Sequence, residues 1–146
     1  MPFHFPLATV LRYRESIEQR ERLALEKIQQ EIAGIELQIR QTDDACSAAS
    51  ENRVAGLAHG TTAAEMQAAY EYQKALEQLS AILRARLQDS KKKWQQQLVV
   101  FEAARRNRET LEKLRQQQRE VYNREQAKRE QAAADDLFLS RRRSSN

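Results

Sequence analysis

From Leu25 to Ile39 the apolar residues Leu25, Ile28, Ile32, Ile35 and Ile39 follow spacings of 3, 4, 3 and 4, with polar residues between them. That is the heptad seam of a helix that turns one narrow apolar stripe toward a partner helix. Leu7, Val10, Leu11 and Ile17 precede it, but Arg14, Glu18 and Glu21 fall on the same seam, so this end of the pair is expected to be looser. Pro6 is tolerated at a helix start and poor within one, so the pattern predicts helix one over about 7–50.

The pattern weakens through QTDDACSAASENRVAGLAHG, where Gly56, Gly60 and small polar residues predict a turn over about 51–61. A restart signal follows, with Thr62 three residues before Glu65 in the capping-box arrangement. No Gly or Pro occurs from Ala63 onward, and helix two is predicted over about 63–136, with a flexible tail over 137–146. Its apolar positions include Met66, Tyr70, Leu76, Leu79, Leu83, Leu87, Trp94, Leu98, Phe101, Leu111, Leu114 and Val121, whose spacing drifts as in interrupted heptads.

Two helices joined by a turn cover each other's seams as an antiparallel pair, so the expected fold is all-α. It is a long two-helix coiled coil, a single hairpin over 1–146, with the second helix longer. At 1.5 Å per residue the arms measure about 66 Å and about 110 Å. With the turn centred at 56–57, Ile35 faces the region of Gln78, Leu25 that of Gln88 and Val10 that of Ala103. Helix one is then used up near residue 106, with Phe3 and Phe5 in reach of Leu111 and Leu114. Val121, Tyr122 and the rest of helix two are expected to overhang without a partner in the chain.

Composition supports helices. Gly and Pro total five of 146 residues, and Ala, Leu, Glu, Gln, Lys and Arg, the good helix formers, fill most of the chain. Charged residues make up 32% and aromatics 6%, which alone would admit disorder. The 25 basic and 21 acidic residues nearly cancel, however, and the apolar residues are periodic, so order is expected. Charge is uneven: residues 1–104 hold 13 basic and 14 acidic side chains, residues 105–143 hold 12 and 7. That surplus suits an anionic partner or simply a solubilising face.

Cys46 is the only cysteine, so no disulfide forms within the chain, in agreement with a reducing compartment. No apolar run approaches the roughly 20 residues of a membrane-spanning helix. The first residues lack a basic stretch followed by an apolar run, so no secretory signal is expected and the default location is cytoplasmic.

Catalysis is the weakest reading. His4 and His59 have no neighbouring ligand motif, three glycines cannot form a phosphate loop, and carboxylates on paired helices point into water. No catalytic residue, metal ligand or cofactor is expected. Nucleic-acid binding is disfavoured as well, because REQAKRE interleaves acids with bases and Tyr122 is a lone stacking ring. Glu120 with Arg124, and Glu125 with Arg129, read better as helix-stabilising pairs. Trp94, Leu98 and Phe101 could be a contact hot spot, but helical spacing favours core, packed near Leu11 and Ile17. Tyr70 and Tyr72 point to different faces, so at least one is expected to be exposed, and Tyr13 fits rim packing.

Phe5, Leu7, Val10, Leu11, Arg14 and Glu18 near the start, with Leu111, Glu112, Lys113, Leu114 and Tyr122 near the end, carry a resemblance to the flagellar FliJ family, the small coiled-coil component of the bacterial flagellar protein export machine. Phe5, Leu7, Val10, Leu11, Arg14 and Glu18 resemble the family's start. Leu111, Glu112, Lys113 and Leu114, then Tyr122, Glu125, Arg129, Glu130, Gln131 and the Asp135–Asp136 pair, resemble its C-terminal part. The resemblance implies a non-enzymatic stalk, similar to that of rotary ATPases, inserted by the end carrying both termini into a hexameric export ATPase. It also implies contact with the cytoplasmic domain of the export gate and with export chaperones, no cofactor, and peripheral association with the inner membrane. On this basis Phe5, Val10, Leu11, Leu111, Leu114, Val121 and Tyr122 are expected at the ATPase-binding end, with Arg115, Arg119 and Arg124 as an electrostatic rim. Tyr70 and Gln73 are the candidates for the gate contact. The alternatives are a stalk of a virulence-type secretion system, of the same geometry, and a homodimeric structural coiled-coil adaptor.

Overall fold

Pro6 and Leu7 form a turn that starts the first helix: the Ala8 amide donates to the Phe5 carbonyl at 3.1 Å, and the Leu11 amide to the Leu7 carbonyl at 2.9 Å. A computed structural model describes residues 2–145, so Met1 and Asn146, the ends of the expected hairpin, lie outside the described residues. Among the described residues are two helices, α1 (Ala8–His59) and α2 (Ala63–Ser144), packed against each other, and no strand. The second is longer, 82 residues against 52.

The break between them is shorter and later than the one expected over 51–61. Gly56 lies inside α1, which runs to His59. A glycine within a helix costs only about 1 kcal/mol, and Ala45, Ala48, Ala49, Ala55 and Ala58 around it are the strongest helix formers. Gly60 ends the helix instead, with a φ of 82° that L side chains rarely adopt. The capping box then starts α2: the Glu65 amide donates to Thr62 Oγ1 at 3.2 Å and the Thr62 amide to Glu65 Oε2 at 3.4 Å. Thr61 Oγ1 adds a 2.8 Å bond to the same carboxylate.

Packing divides the chain into two units, Glu21–Phe101 and Met1–Arg20 with Glu102–Asn146. In the first, covered positions of α1 recur at 28, 32, 35, 39, 42, 46, 49, 53 and 56, and those of α2 at 69, 73, 76, 80, 83, 87, 90, 94, 97 and 101. Both series alternate 3 and 4, so the coiled-coil repeat is regular. The drift read from the sequence is a drift of side-chain type. Gln73, Ser80, Ser90 and Gln97 occupy α2 seam positions, while Met66 and Leu79, assigned to the seam by their apolarity, are 39% and 44% exposed.

The buried residues of this unit are Ile39 and Leu83 together with Thr42, Ser80 and Ser90. Thr42 donates to the Gln38 carbonyl of its own helix, and Ser80 Oγ donates to Asp43 Oδ1 at 3.0 Å across the pair. Gln97 Nε2 likewise bridges to the Glu21 carbonyl at 3.1 Å and to its carboxylate at 2.6 Å. The buried hydroxyls of Thr42 and Ser80 are tolerated because each finds such a partner.

The observed register corrects the expected one. Asp43 meets Ser80 and Arg84, and Glu21 meets Gln97, where a turn at 56–57 would have set Ile35 against Gln78. Moving the turn toward Gly60–Thr62 shifts each opposed position by twice the displacement of the turn. Trp94 accordingly shares a shallow groove with Gln29 and Ile32, and the Phe101 ring lies 5.7 Å from the Arg22 guanidinium.

In the other unit the buried apolar residues are Phe5, Leu11 and Ala104, joined by Glu18 at 5% exposure. Phe3, in the non-helical segment before α1, stacks on Tyr122 with ring centroids 5.6 Å apart and planes tilted by 53°. Tyr122 therefore has a partner within the chain, which corrects the expected overhang past residue 106. Gln126 is the last half-buried position of α2, and every described residue from 127 to 145 is exposed. The helix nevertheless continues to Ser144 through residues expected as a flexible tail. Ser144 Oγ bonds to the Ser140 carbonyl at 3.2 Å and the Ser145 amide to the Arg141 carbonyl at 3.2 Å, which ties down its last turn.

Candidate functional site

The ten residues expected at the ATPase-binding end all belong to the unit that contains both ends of the chain. Their roles divide by exposure. Phe5 and Leu11 are 5% and 3% exposed, and Leu111 and Leu114 are half-buried, so these four hold the helices together. Tyr122 is half-buried against Phe3. Val10 and Val121 remain open to solvent at 41% and 48%. Arg115, Arg119 and Arg124 are exposed, and the Arg119 guanidinium lies 5.9 Å from the Phe3 ring centroid. A cation over an aromatic face at an exposed site contributes about 0.5–1 kcal/mol.

An ion cluster that the sequence reading missed stiffens this end. Arg108 Nε donates to Glu18 Oε2 at 2.5 Å and Nη2 to Glu18 Oε1 at 3.4 Å, and Nη1 donates to the Glu112 carboxylate. The fork geometry of guanidinium matches a carboxylate in this two-point manner. The hydrogen bond to Glu18, then that to Glu112, raises the Arg108 pKa above its ordinary value, so the cation is fixed. Next to it Arg105 Nε donates to Glu109 Oε1 at 2.9 Å, which lowers the Glu109 pKa. Glu18 was read as a seam position that loosens the pair. Instead Arg108, at the matching seam position of α2, closes it. Finding this from sequence required the correct turn, because Glu18 and Arg108 are opposed only in the observed register.

Tyr70 and Gln73, the candidates for the gate contact, lie together in the unit Glu21–Phe101 and line a shallow cleft with Arg53, Lys74 and Glu77. Tyr70 is 51% exposed, and so is Tyr72, at 57%. Gln73 is half-buried, and its Oε1 has no hydrogen-bond partner among the described residues. The Trp94 Nε1 is in the same condition.

The bland expectations can be placed as well. His4 and His59 are exposed, and Cys46 is half-buried with a free thiol. Tyr13 is 63% exposed. Among the described residues no group of three His, Cys, Asp or Glu side chains is placed to hold a metal ion. Among the described residues no helix is long and apolar enough to cross a membrane.

Val10, Val121, Arg115, Arg119 and Arg124 are thus the exposed members of the expected set, in the same unit as the Glu18–Arg108–Glu112 cluster. Comparison with curated proteins and with solved structures finds no match. A family model described as flagellar FliJ protein matches residues 3–146, nearly the whole length, and the chain belongs to that family of flagellar export proteins.

Proposed function

We propose that the chain is the non-enzymatic stalk of the flagellar export apparatus, seated by the unit of its two ends in the hexameric export ATPase. Through the other unit it engages the cytoplasmic domain of the export gate and meets export chaperones, which brings it to the inner membrane as a peripheral component. The observation that carries the reading is the imbalance of the helices. The first segment covers α2 only as far as Gln126, and α2 continues for about five turns beyond it. Exposed Val121 and the exposed arginines stand on the last covered turns, where a ring lined by acidic and apolar groups has both to grip. Exposed charge speeds association while adding little affinity, which suits a contact that must be remade. Membership of a flagellar family supports this over a virulence-type stalk.

The test is capture from the native cytoplasm. The wild-type chain should bring down a hexameric ATPase, and Val121→Ala with Arg124→Gln should weaken that capture and reduce motility while helix content is unchanged. Both side chains are exposed, so a loss cannot be assigned to unfolding. Undiminished capture by this variant would remove the assignment. For the gate, Tyr70→Ala should reduce binding to the gate's cytoplasmic domain and leave ATPase capture intact.

A further inference from the structure

The end of α2 presents three consecutive large apolar side chains to water: Leu137, Phe138 and Leu139 are 62%, 65% and 50% exposed. Such a run on a helix surface works against solubility unless something covers it. Arg141, Arg142 and Arg143 follow within one turn, and no acidic residue occurs from 137 to 145. The segment is helical, so these positions are fixed relative to one another.

The arrangement around the helix decides what can cover it. Successive residues are about 100° apart at 3.6 residues per turn, so Leu137, Phe138 and Leu139 span about 200° of the circumference. A protein groove takes one helix face, read at i, i+3, i+4 and i+7, and would reach only part of this set. A fluid lipid surface has no such limit, since acyl chains and headgroups rearrange around the tip. The arginines are distributed in the same way, and their long stems let the charge stay at headgroup level while the apolar neighbours go deeper.

We propose that the last two turns of α2 are a membrane-surface contact. Leu137, Phe138 and Leu139 enter the outer acyl region of an anionic phospholipid leaflet, and Arg141, Arg142 and Arg143 rest on the headgroup phosphates. Asp135 and Asp136, immediately before the apolar triplet, are repelled by the same surface and keep the preceding turns of α2 off it. Basic residues near an anionic leaflet contribute about fivefold each to partitioning, and a short apolar tip supplies the second signal that stable surface binding requires. This contact goes beyond the stalk reading and does not depend on the ATPase.

The test uses the full chain and sedimentation with vesicles. Vesicles containing phosphatidylglycerol should bind it, vesicles of phosphatidylcholine alone should not, and binding should weaken as salt rises. Combined Leu137→Ala, Phe138→Ala and Leu139→Ala should reduce binding on the order of 100-fold, and Arg141→Gln, Arg142→Gln and Arg143→Gln by a similar factor. Circular dichroism of each variant should match wild type, and the single Phe138→Ser change provides a milder check if the triple variant misfolds. ATPase capture by all of them should be unchanged, which separates this contact from the proposed stalk function. Equal binding to both vesicle types, no binding to the anionic ones, or binding indifferent to the apolar substitutions overturns the proposal. So does a self-associated chain in light scattering that the apolar substitutions dissolve, because the tip would then belong to a second copy.

Discussion

The two units meet the same problem, burying a narrow seam with few apolar residues, in different ways. The unit Glu21–Phe101 has its helices tied by a capped three-residue break and keeps an uninterrupted repeat, with Ser80, Ser90 and Gln97 as seam residues whose small or hydrogen-bonded side chains let the helices meet. The unit that holds the chain ends has no connecting turn. Phe5, Leu11 and Ala104 form its core, a carboxylate–guanidinium–carboxylate cluster locks it, and the non-helical Phe3 segment extends its cover to Tyr122. Beyond Gln126 nothing described covers α2. The lesson is that a helix pair can be held without a large core, and that the surplus of one partner is then left for other molecules.

That comparison can be broken at either side. The largest effect is expected from Leu83→Ala, which empties the best-packed apolar position of the turn-side unit, 4% exposed. A loss of about 2–4 kcal/mol should appear in thermal unfolding. Glu18→Ala in the other unit should cost about 2 kcal/mol, because Arg108 would remain largely covered with only Glu112 as strong partner. Amide exchange should localise that loss to residues 8–20 and 104–118 and leave the turn-side unit protected. Gly60→Ala forces a Cβ onto a φ of 82° and should lower stability by about 1 kcal/mol, with no change in ATPase capture. Arg84→Ala removes an ion pair to Asp43 whose side chains are 59% and 44% exposed, so less than about 1 kcal/mol is expected. The smallest effect concerns pH. The Glu109 carboxyl is lowered by its Arg105 bond, so its contribution is present above the ordinary carboxylate range and lost as pH falls through the lowered value. Glu109→Gln should remove that slight contribution at neutral pH and flatten the acid-side decline.

Much of the fold was legible in the residues. Leu25 to Ile39 announced the repeat, and Thr62 with Glu65 marked the start of α2 by chemistry that depends on three residues of spacing alone. The turn was misplaced because Gly56 looks like a break, although only a glycine with positive φ, Gly60, ends the helix. Every opposed pair then moved by twice that error, which hid the Glu18–Arg108 bridge and the Phe3–Tyr122 contact. Ser80 and Ser90 escaped notice because hydropathy does not mark small polar residues, while Leu79 was assigned to the seam by apolarity and faces water. The candidate docking end was identified by likeness to a family. Its division into core residues such as Leu11 and exposed ones such as Val121 required the three-dimensional packing.

The central claim is that the last covered turns of α2 and the turns just beyond Gln126, in the unit of the chain ends, are what the ATPase grips. Amide hydrogen exchange of the full chain with and without the purified hexameric ATPase tests it directly. The account predicts new protection over residues 111–126 and the turns just beyond, with residues 63–90 unchanged. Protection confined to the turn-side residues 50–80, or none anywhere despite binding, would contradict it.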